Sequence, residues 1–295
     1  MKKITQGVYT ALITTFHEDG TIDFLSLERI LNYQIANKVT GVVILGSTGE
    51  SMLLNTEEKI AIINHVIKIN NSRIAIIVGV SGSHDTNNWV SQLNNIVGID
   101  AILVAPFAYI KPTQEGLYQY FATIAKITSL PIILYNVPSR TVCDISDTTI
   151  LKLSNNFDNI IGLKDASGLI QRCNYLFVYK KSGFLLFSGD DATAVSFVLS
   201  GGDGVISVTS NLYPLLVSDM INEAIIGNKN SALSYNKQLV ELYHYLFIES
   251  NPIPVKWMAY QLDLIATPTL KMPLTPLSER HYDNIIPILK QIGIF

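Results

Sequence analysis

A closed (β/α)8 TIM barrel with a C-terminal helical extension is the fold this sequence predicts, and three observations carry it. Eight short runs rich in aliphatic and β-branched residues recur before residue 210, and most are apolar on both faces, as strands of a parallel sheet covered on each side must be. Helical periodicity fills most of the intervals between them. Residues capable of chemistry cluster at the carboxyl ends of different runs, which a barrel gathers on one face. A doubly wound open sheet is the competing architecture, and that placement argues against it.

In order, the expected strands are residues 8–15, 41–46, 74–80, 100–105, 131–136, 160–165, 184–189 and 203–208. Between the second and third, residues 57–67 repeat apolar positions at helical spacing: Ile60, Ile63 and Ile67 share a face, acids fill the first turn, and Asn55 and Thr56 suit as caps. Gly201-Gly202-Asp203-Gly204 precedes a strand instead of following one, so it reads as a turn and not as a phosphate cradle. Beyond residue 230 the strand signal stops. Helices are expected at 231–248, 254–264 and 278–291, with Pro252, Pro254, Pro268, Pro273 and Pro276 punctuating their connections. The chain thus divides into a barrel at 1–230 and a helical extension at 231–295.

A length of 295 residues suits a barrel of ~200–250 residues plus such an extension. Apolar residues make up 48% and charged ones 15%, enough for a large core and for a subunit interface, so a homo-oligomer, dimer or tetramer, is expected. With a net charge of −3 and scattered Lys and Arg, nucleic acid is a poor partner. No apolar run approaches the ~18 residues of a membrane span, and no apolar leader follows Met1-Lys2-Lys3, so a cytoplasmic protein is expected. Cys143 and Cys173 match neither a disulfide framework nor a zinc spacing. Asp190-Asp191 invites a metal reading, but the five histidines lack ligand spacing and no metal is expected.

Lys164 stands alone at the carboxyl end of an apolar run, where an ammonium is costly to desolvate unless partnered. A neutral amine there is a nucleophile toward carbonyls. Two plainer readings stay open: a strand-end lysine snorkelling to solvent, or a surface pair with Asp165. Tyr135 ends the preceding run and supplies a phenol at the same level, although a buried tyrosine often only completes a core. Ser47 and Thr48, between Gly46 and Gly49, offer hydroxyls and backbone N–H groups suited to a carboxylate or a relayed proton, or merely a capped turn. Arg140 follows in a loop on the same face and can clamp a carboxylate with two parallel hydrogen bonds, or sit solvated. Together these groups suggest chemistry on a keto acid.

The set Gly46-Ser47-Thr48-Gly49-Glu50, Tyr135-Asn136-Val137-Pro138, Gly162-Leu163-Lys164-Asp165 and Ser188-Gly189-Asp190-Asp191, with Ser139-Arg140-Thr141 and Asn251-Pro252-Ile253-Pro254-Val255-Lys256, resembles the pyruvate-dependent class I lyases of the dihydrodipicolinate synthase and N-acetylneuraminate lyase family. The resemblance spans nearly the whole chain. It implies a Schiff base between Lys164 and pyruvate with no separate cofactor, proton transfer by Tyr135 and Ser47, and pyruvate carboxylate binding at Thr48. It also implies that Arg140 receives L-aspartate 4-semialdehyde and that Gly189 and Ile206 line the pocket with backbone. The expected reaction is condensation to 4-hydroxy-tetrahydrodipicolinate in lysine and diaminopimelate biosynthesis. A sibling aldolase acting on N-acetylneuraminate or a keto-sugar acid is the alternative.

Two departures from the family pattern stand out. The run Pro106-Phe107-Ala108-Tyr109-Ile110 carries one residue more than the usual pair of tyrosines, so Tyr109 is expected to reach a neighbouring subunit's site from a bulged loop. Where lysine-sensitive relatives bind that effector, this chain places Thr56, Lys59, Ser83, Asn87 and Phe107; an uncompensated cation there implies little lysine inhibition.

Overall fold

The computed structural model describes residues 1–292, and in it the eight strands close into one parallel barrel in sequential order. Its first half runs β1 (Gly7–Ala11), α1 (Phe24–Ala36), β2 (Gly41–Ile44), α2 (Thr56–Asn70), β3 (Ala75–Gly82), α3 (Thr86–Leu93), β4 (Ala101–Phe107) and α4 (Gln114–Ile127). The second half runs β5 (Ile132–Asn136), α5 (Pro138–Thr141), α6 (Asp147–Asn156), β6 (Ile160–Asp165), α7 (Ile170–Tyr179), β7 (Leu185–Ser188), α8 (Ala194–Leu199), β8 (Gly204–Ser207) and α9 (Pro214–Ile225). Three more helices follow: α10 (Lys229–Leu246), α11 (Ile253–Gln261) and α12 (Tyr282–Gln291).

Strands β1, β2, β5 and β8 are buried along their whole length, so both faces demand apolar side chains and the runs are conspicuous in the sequence. Closure pairs Tyr9 of β1 with Ile206 of β8. The fully buried Tyr9 ring meets Phe187 edge-on at 5.3 Å, a geometry that contributes roughly 0.5–1.5 kcal/mol beyond area burial. Position 41 is glycine because a Cβ there would lie 2.8 Å from that ring. At the amino-terminal face, Asp100 accepts from Ile76 N at 2.9 Å and Asp203 from Leu186 N at 2.8 Å, each tying the strand it precedes to its neighbour. Of Gly201–Gly204, Gly201 is in a turn and Gly204 already begins β8, with Asp203 anchoring the junction.

Several boundaries differ from expectation for identifiable reasons. β1 ends at Ala11 instead of residue 15, because the chain leaves the sheet and its polar groups find other partners: Ile13 N donates to Asn211 Oδ1 at 3.1 Å, and Thr15 Oγ1 to Asp23 O at 2.6 Å. In α2, Asn55 alone is the cap, forming a reciprocal pair of hydrogen bonds with Glu58, and Thr56 is the first helical residue. The buried stripe of α2 is Ile62, Ile63 and Val66; Ile60 and Ile67 lie half-buried at its edges. With isoleucines on several sides of the helix, periodicity could not choose the central one.

Helix α10 begins at Lys229, so the expected boundary between residues 230 and 231 falls within its first turn, and its buried Ala232, Leu239, Leu242 and Leu246 pack toward the barrel helices. Residues 253–259 of α11 are buried on every side, which explains why that helix shows no amphipathic pattern. Trp257 stacks on Tyr282 at 4.3 Å and joins α11 to α12. This packing carries the segment before α11 across the carboxyl-terminal mouth of the barrel.

Candidate active site

Strands β5 and β6 pair in parallel with Tyr135 opposite Lys164 and Asn136 opposite Asp165. Successive strand residues face opposite sides, so Tyr135 and Lys164 point into the barrel mouth while Asn136 and Asp165 point outward. Lys164 is 5% exposed, with Nζ 4.5 Å from the centre of the Tyr135 ring. Among the described residues no carboxylate stands within 4.0 Å of that nitrogen. The lysine therefore neither snorkels to solvent nor pairs with Asp165. Gly189 leaves space for it: a Cβ at that position would lie 2.9 Å from Lys164 Cε.

Asp165 accepts from Asn136 Nδ2 at 2.8 Å, Ser167 Oγ at 2.5 Å and Arg172 Nη1 at 3.2 Å. Arg172 also reaches Asp144 at 2.7 and 2.8 Å and Asp147 at 2.9 Å. Burial raises the Asp144 carboxyl, but the hydrogen bonds from Arg172 and Asn136 outweigh it and hold the group below its ordinary value. This outer network clamps the carboxyl ends of β5 and β6 without entering the cavity.

After β2 the chain turns at Gly46–Gly49, with Gly49 N donating to Gly46 O at 3.1 Å and Glu50 N to Ser47 O at 3.2 Å. Ser47 is half-buried and Thr48 buried. Thr48 Oγ1 accepts from Asn251 Nδ2 at 2.9 Å, and Asn251 O accepts from Arg140 Nη2 at 2.9 Å. Glu50, at φ +56°, closes the turn; its buried carboxylate meets Lys256 Nζ at 2.7 Å and Lys271 N at 2.9 Å. Burial pushes the Lys256 ammonium down to about 8 against the opposing attraction of Glu50.

A cavity of about 660 Å³ opens here, lined by Lys164, Tyr135, Ser47, Thr48, Arg140 and Gly189 among others. A smaller, mostly apolar cavity of about 190 Å³ shares Ser47, Tyr135 and Arg140 with it. Six of the eight residues expected at the site thus converge. Ile206 is 1% exposed beside Tyr9, and the cavity is lined instead by Val208, two residues further on. Tyr109 is 88% exposed at φ +73°, and lines neither cavity of its own chain.

Asp190 accepts from Thr193 N and Oγ1, and Asp191 from Val208 N and Thr209 N, so both carboxylates brace loops. Among the described residues no group of three or more His, Cys, Asp or Glu side chains is placed to hold a metal ion, and no helix is long and apolar enough to cross a membrane. Thr56, Lys59 and Ser83 do share a cleft, and Asp85 lines it as well; burial lowers the Lys59 ammonium, and the attraction of Asp85 works against that shift. Asn87 and Phe107 line an adjoining cleft with Ser83. Sequence reasoning assigned no role to Asn251, Glu50 or Lys256; the only signal was their presence in the motifs that carry the family resemblance.

A buried amine beside a phenol, a hydroxyl-bearing turn and a guanidinium at the rim define a site for covalent carbonyl chemistry on small anions, in the class of barrel lyases that work through a lysine Schiff base. Residues 4–292 match the Dihydrodipicolinate synthetase family, and the chain belongs to it. It is 45% identical to the 4-hydroxy-tetrahydrodipicolinate synthase of Buchnera aphidicola subsp. Schizaphis graminum, over 92% of each chain. It is 43% identical to that of Coxiella burnetii over 98% of each. The solved, chloride-inhibited dihydrodipicolinate synthase of Acinetobacter baumannii complexed with pyruvate superposes with a TM-score of 0.94 at 38% identity, covering 99% of this chain and 100% of that one.

Because the folded Asp144 carboxyl is held low, its contribution to stability is present at neutral pH and is lost as pH falls through the folded value. Asp144→Asn should lower Tm at pH 7, with the gap to wild type closing as the buffer is acidified below the usual carboxylate range. A gap that persists unchanged at pH 2–3 (on the order of a unit below that range) would contradict the assignment.

Proposed function

We infer that the chain condenses pyruvate with L-aspartate 4-semialdehyde to give 4-hydroxy-tetrahydrodipicolinate, a step of lysine and diaminopimelate biosynthesis. The observation that carries this reading is the Lys164 amine, buried with no counter-ion among the described residues, beside Tyr135 in a cavity with Arg140 at its rim. The relatives' shared name and the pyruvate complex of the Acinetobacter enzyme support the choice of substrates.

Lys164 Nζ adds to the pyruvate ketone, and loss of water leaves an iminium whose positive nitrogen acidifies the adjacent methyl group. Loss of one methyl proton gives an enamine, which attacks the aldehyde carbon and forms the new C–C bond. The product is cyclic, so the amino group of the former semialdehyde then displaces Lys164. Tyr135 gives and takes protons in these steps and Ser47 relays them, while Thr48 and the turn's backbone N–H groups hold the pyruvate carboxylate. Gly189 and Val208 border the bound substrate. Arg140 receives the second carboxylate. Lys164 itself is the covalent group, so this chemistry needs no separate cofactor.

Tyr109, on an exposed loop outside its own cavities, acts in the site of a neighbouring copy, which makes a homo-oligomer part of the reading. Free, buried Cys143 and Cys173 support a reducing, cytoplasmic setting.

Borohydride added with pyruvate should attach one reduced adduct to Lys164, located by peptide mass; Lys164→Ala should give none, and Tyr109→Phe should still trap pyruvate while turning over more slowly. An adduct elsewhere, or none, removes the mechanism. Arg140→Ala should raise KM for the semialdehyde by roughly tenfold to a hundredfold, the scale of a lost charge-assisted contact of about 1.5–3 kcal/mol, and change pyruvate trapping little. Equal use of a neutral polyhydroxylated aldehyde by the wild type would instead favour a sugar-acid aldolase. Because the Lys59 cation lines that cleft and opposes the ammonium of free lysine, a steady-state titration should show weak inhibition at most. Strong inhibition at low lysine concentration would overturn this.

A further inference from the structure

We propose that the buried Glu50–Lys256 ion pair is a positioning unit for substrate binding: acting through Asn251, it holds Thr48 and Arg140 at a set separation across the cavity mouth. The proposal rests on the reading above, in which those two residues bind the substrates' carboxylates.

Neither Glu50 nor Lys256 lines the cavity, and both side chains are 0% exposed. Enclosing two charges costs several kcal/mol per ion before their attraction is counted, and a well-packed apolar pair is commonly as stable. Stability alone is therefore a weak reason for the pair. A directed contact between residues 206 positions apart is something an apolar pair does not supply.

The contacts form a closed circuit. Glu50 terminates the turn that carries Ser47 and Thr48, and its two oxygens are taken by two separate points of the C-terminal segment, Lys256 Nζ at 2.7 Å and Lys271 N at 2.9 Å. Binding through both oxygens fixes the rotation of the carboxylate and with it the end of the turn. The Phe16 ring lies 4.2 Å from the Lys256 nitrogen and closes its other side. Lys256 sits in the buried part of α11, residues 253–259, five residues after Asn251. Asn251 donates from Nδ2 to Thr48 Oγ1 and accepts at its carbonyl from Arg140 Nη2, both at 2.9 Å. The circuit Thr48, Glu50, Lys256, Asn251 and back to Thr48 thus sets the turn after β2 against α11, and Asn251 passes that setting to Arg140 beyond β5. Small displacements of binding groups are expensive in enzymes, where ~1 Å can cost ~100-fold.

The test compares wild type, Lys256→Met, the double variant Glu50→Gln/Lys256→Met, and Asn251→Ala, by Tm, by KM and kcat for pyruvate and the semialdehyde, and by borohydride trapping. Lys256→Met should lose stability, because Glu50 is left buried without its cation. The double variant should recover Tm toward wild type yet keep both KM values raised, on the order of tenfold to a hundredfold, with kcat changed less. Asn251→Ala leaves the pair whole and should raise KM to the same extent, with no further rise when all three substitutions are combined. A folded double variant with wild-type KM overturns the proposal and leaves the pair a structural staple; so does a fall in kcat alone. If the double variant fails to fold, Asn251→Ala decides, and wild-type KM there overturns the proposal. Wild-type enzyme that traps no pyruvate and consumes no semialdehyde sinks the functional reading and this proposal together.

Discussion

The pleat of β6 is the constraint on which the site depends. Lys164 and Asp165 are neighbours in sequence, yet the strand sends one into the barrel mouth and the other toward Arg172. A register slip of one residue would exchange them, placing a carboxylate in the cavity and an amine against a guanidinium. Burial holds the register, since Ile160 and Leu163 pair with Ile132 and Leu134 on one face of the sheet, where all four are enclosed.

Around that strand, buried charges are matched by partners on other elements. Asp165 is shared among Asn136, Ser167 and Arg172; Glu50 is taken by Lys256 and a backbone N–H; Asp191 accepts from two backbone N–H groups, and burial still raises its carboxyl. Each contact offsets a desolvation cost and ties together segments far apart in sequence. Lys164 differs in having no such carboxylate among the described residues. An amine left uncommitted amid satisfied polar groups is suited to bond a substrate instead of a neighbour.

Eight strands were legible because burial on both faces of a parallel sheet demands aliphatic residues wherever the chain crosses the barrel. Six of the residues expected at the site meet in one cavity because barrel topology gathers strand ends, whatever their separation in the chain. Less legible were features set by competition. The end of β1 depended on Asn211 offering an alternative acceptor, and the stripe of α2 on which isoleucines the barrel covered. Asp85 lines the same cleft as Lys59, so an acid accompanies the cation there.

Local pattern in the chain by itself determined the barrel, the placement of Lys164 and Tyr135 at adjacent strand ends, and the hydroxyl-bearing turn, because strand periodicity and glycine-flanked turns are written in neighbouring residues. Only the tertiary structure decided that Asp165 turns from Lys164 to Arg172, that Asn251 joins Thr48 to Arg140, and that Lys256 lies buried against Glu50. The last two depend on how α11 packs over the barrel mouth, through contacts between residues 111 to 206 positions apart that leave no periodic trace in the chain.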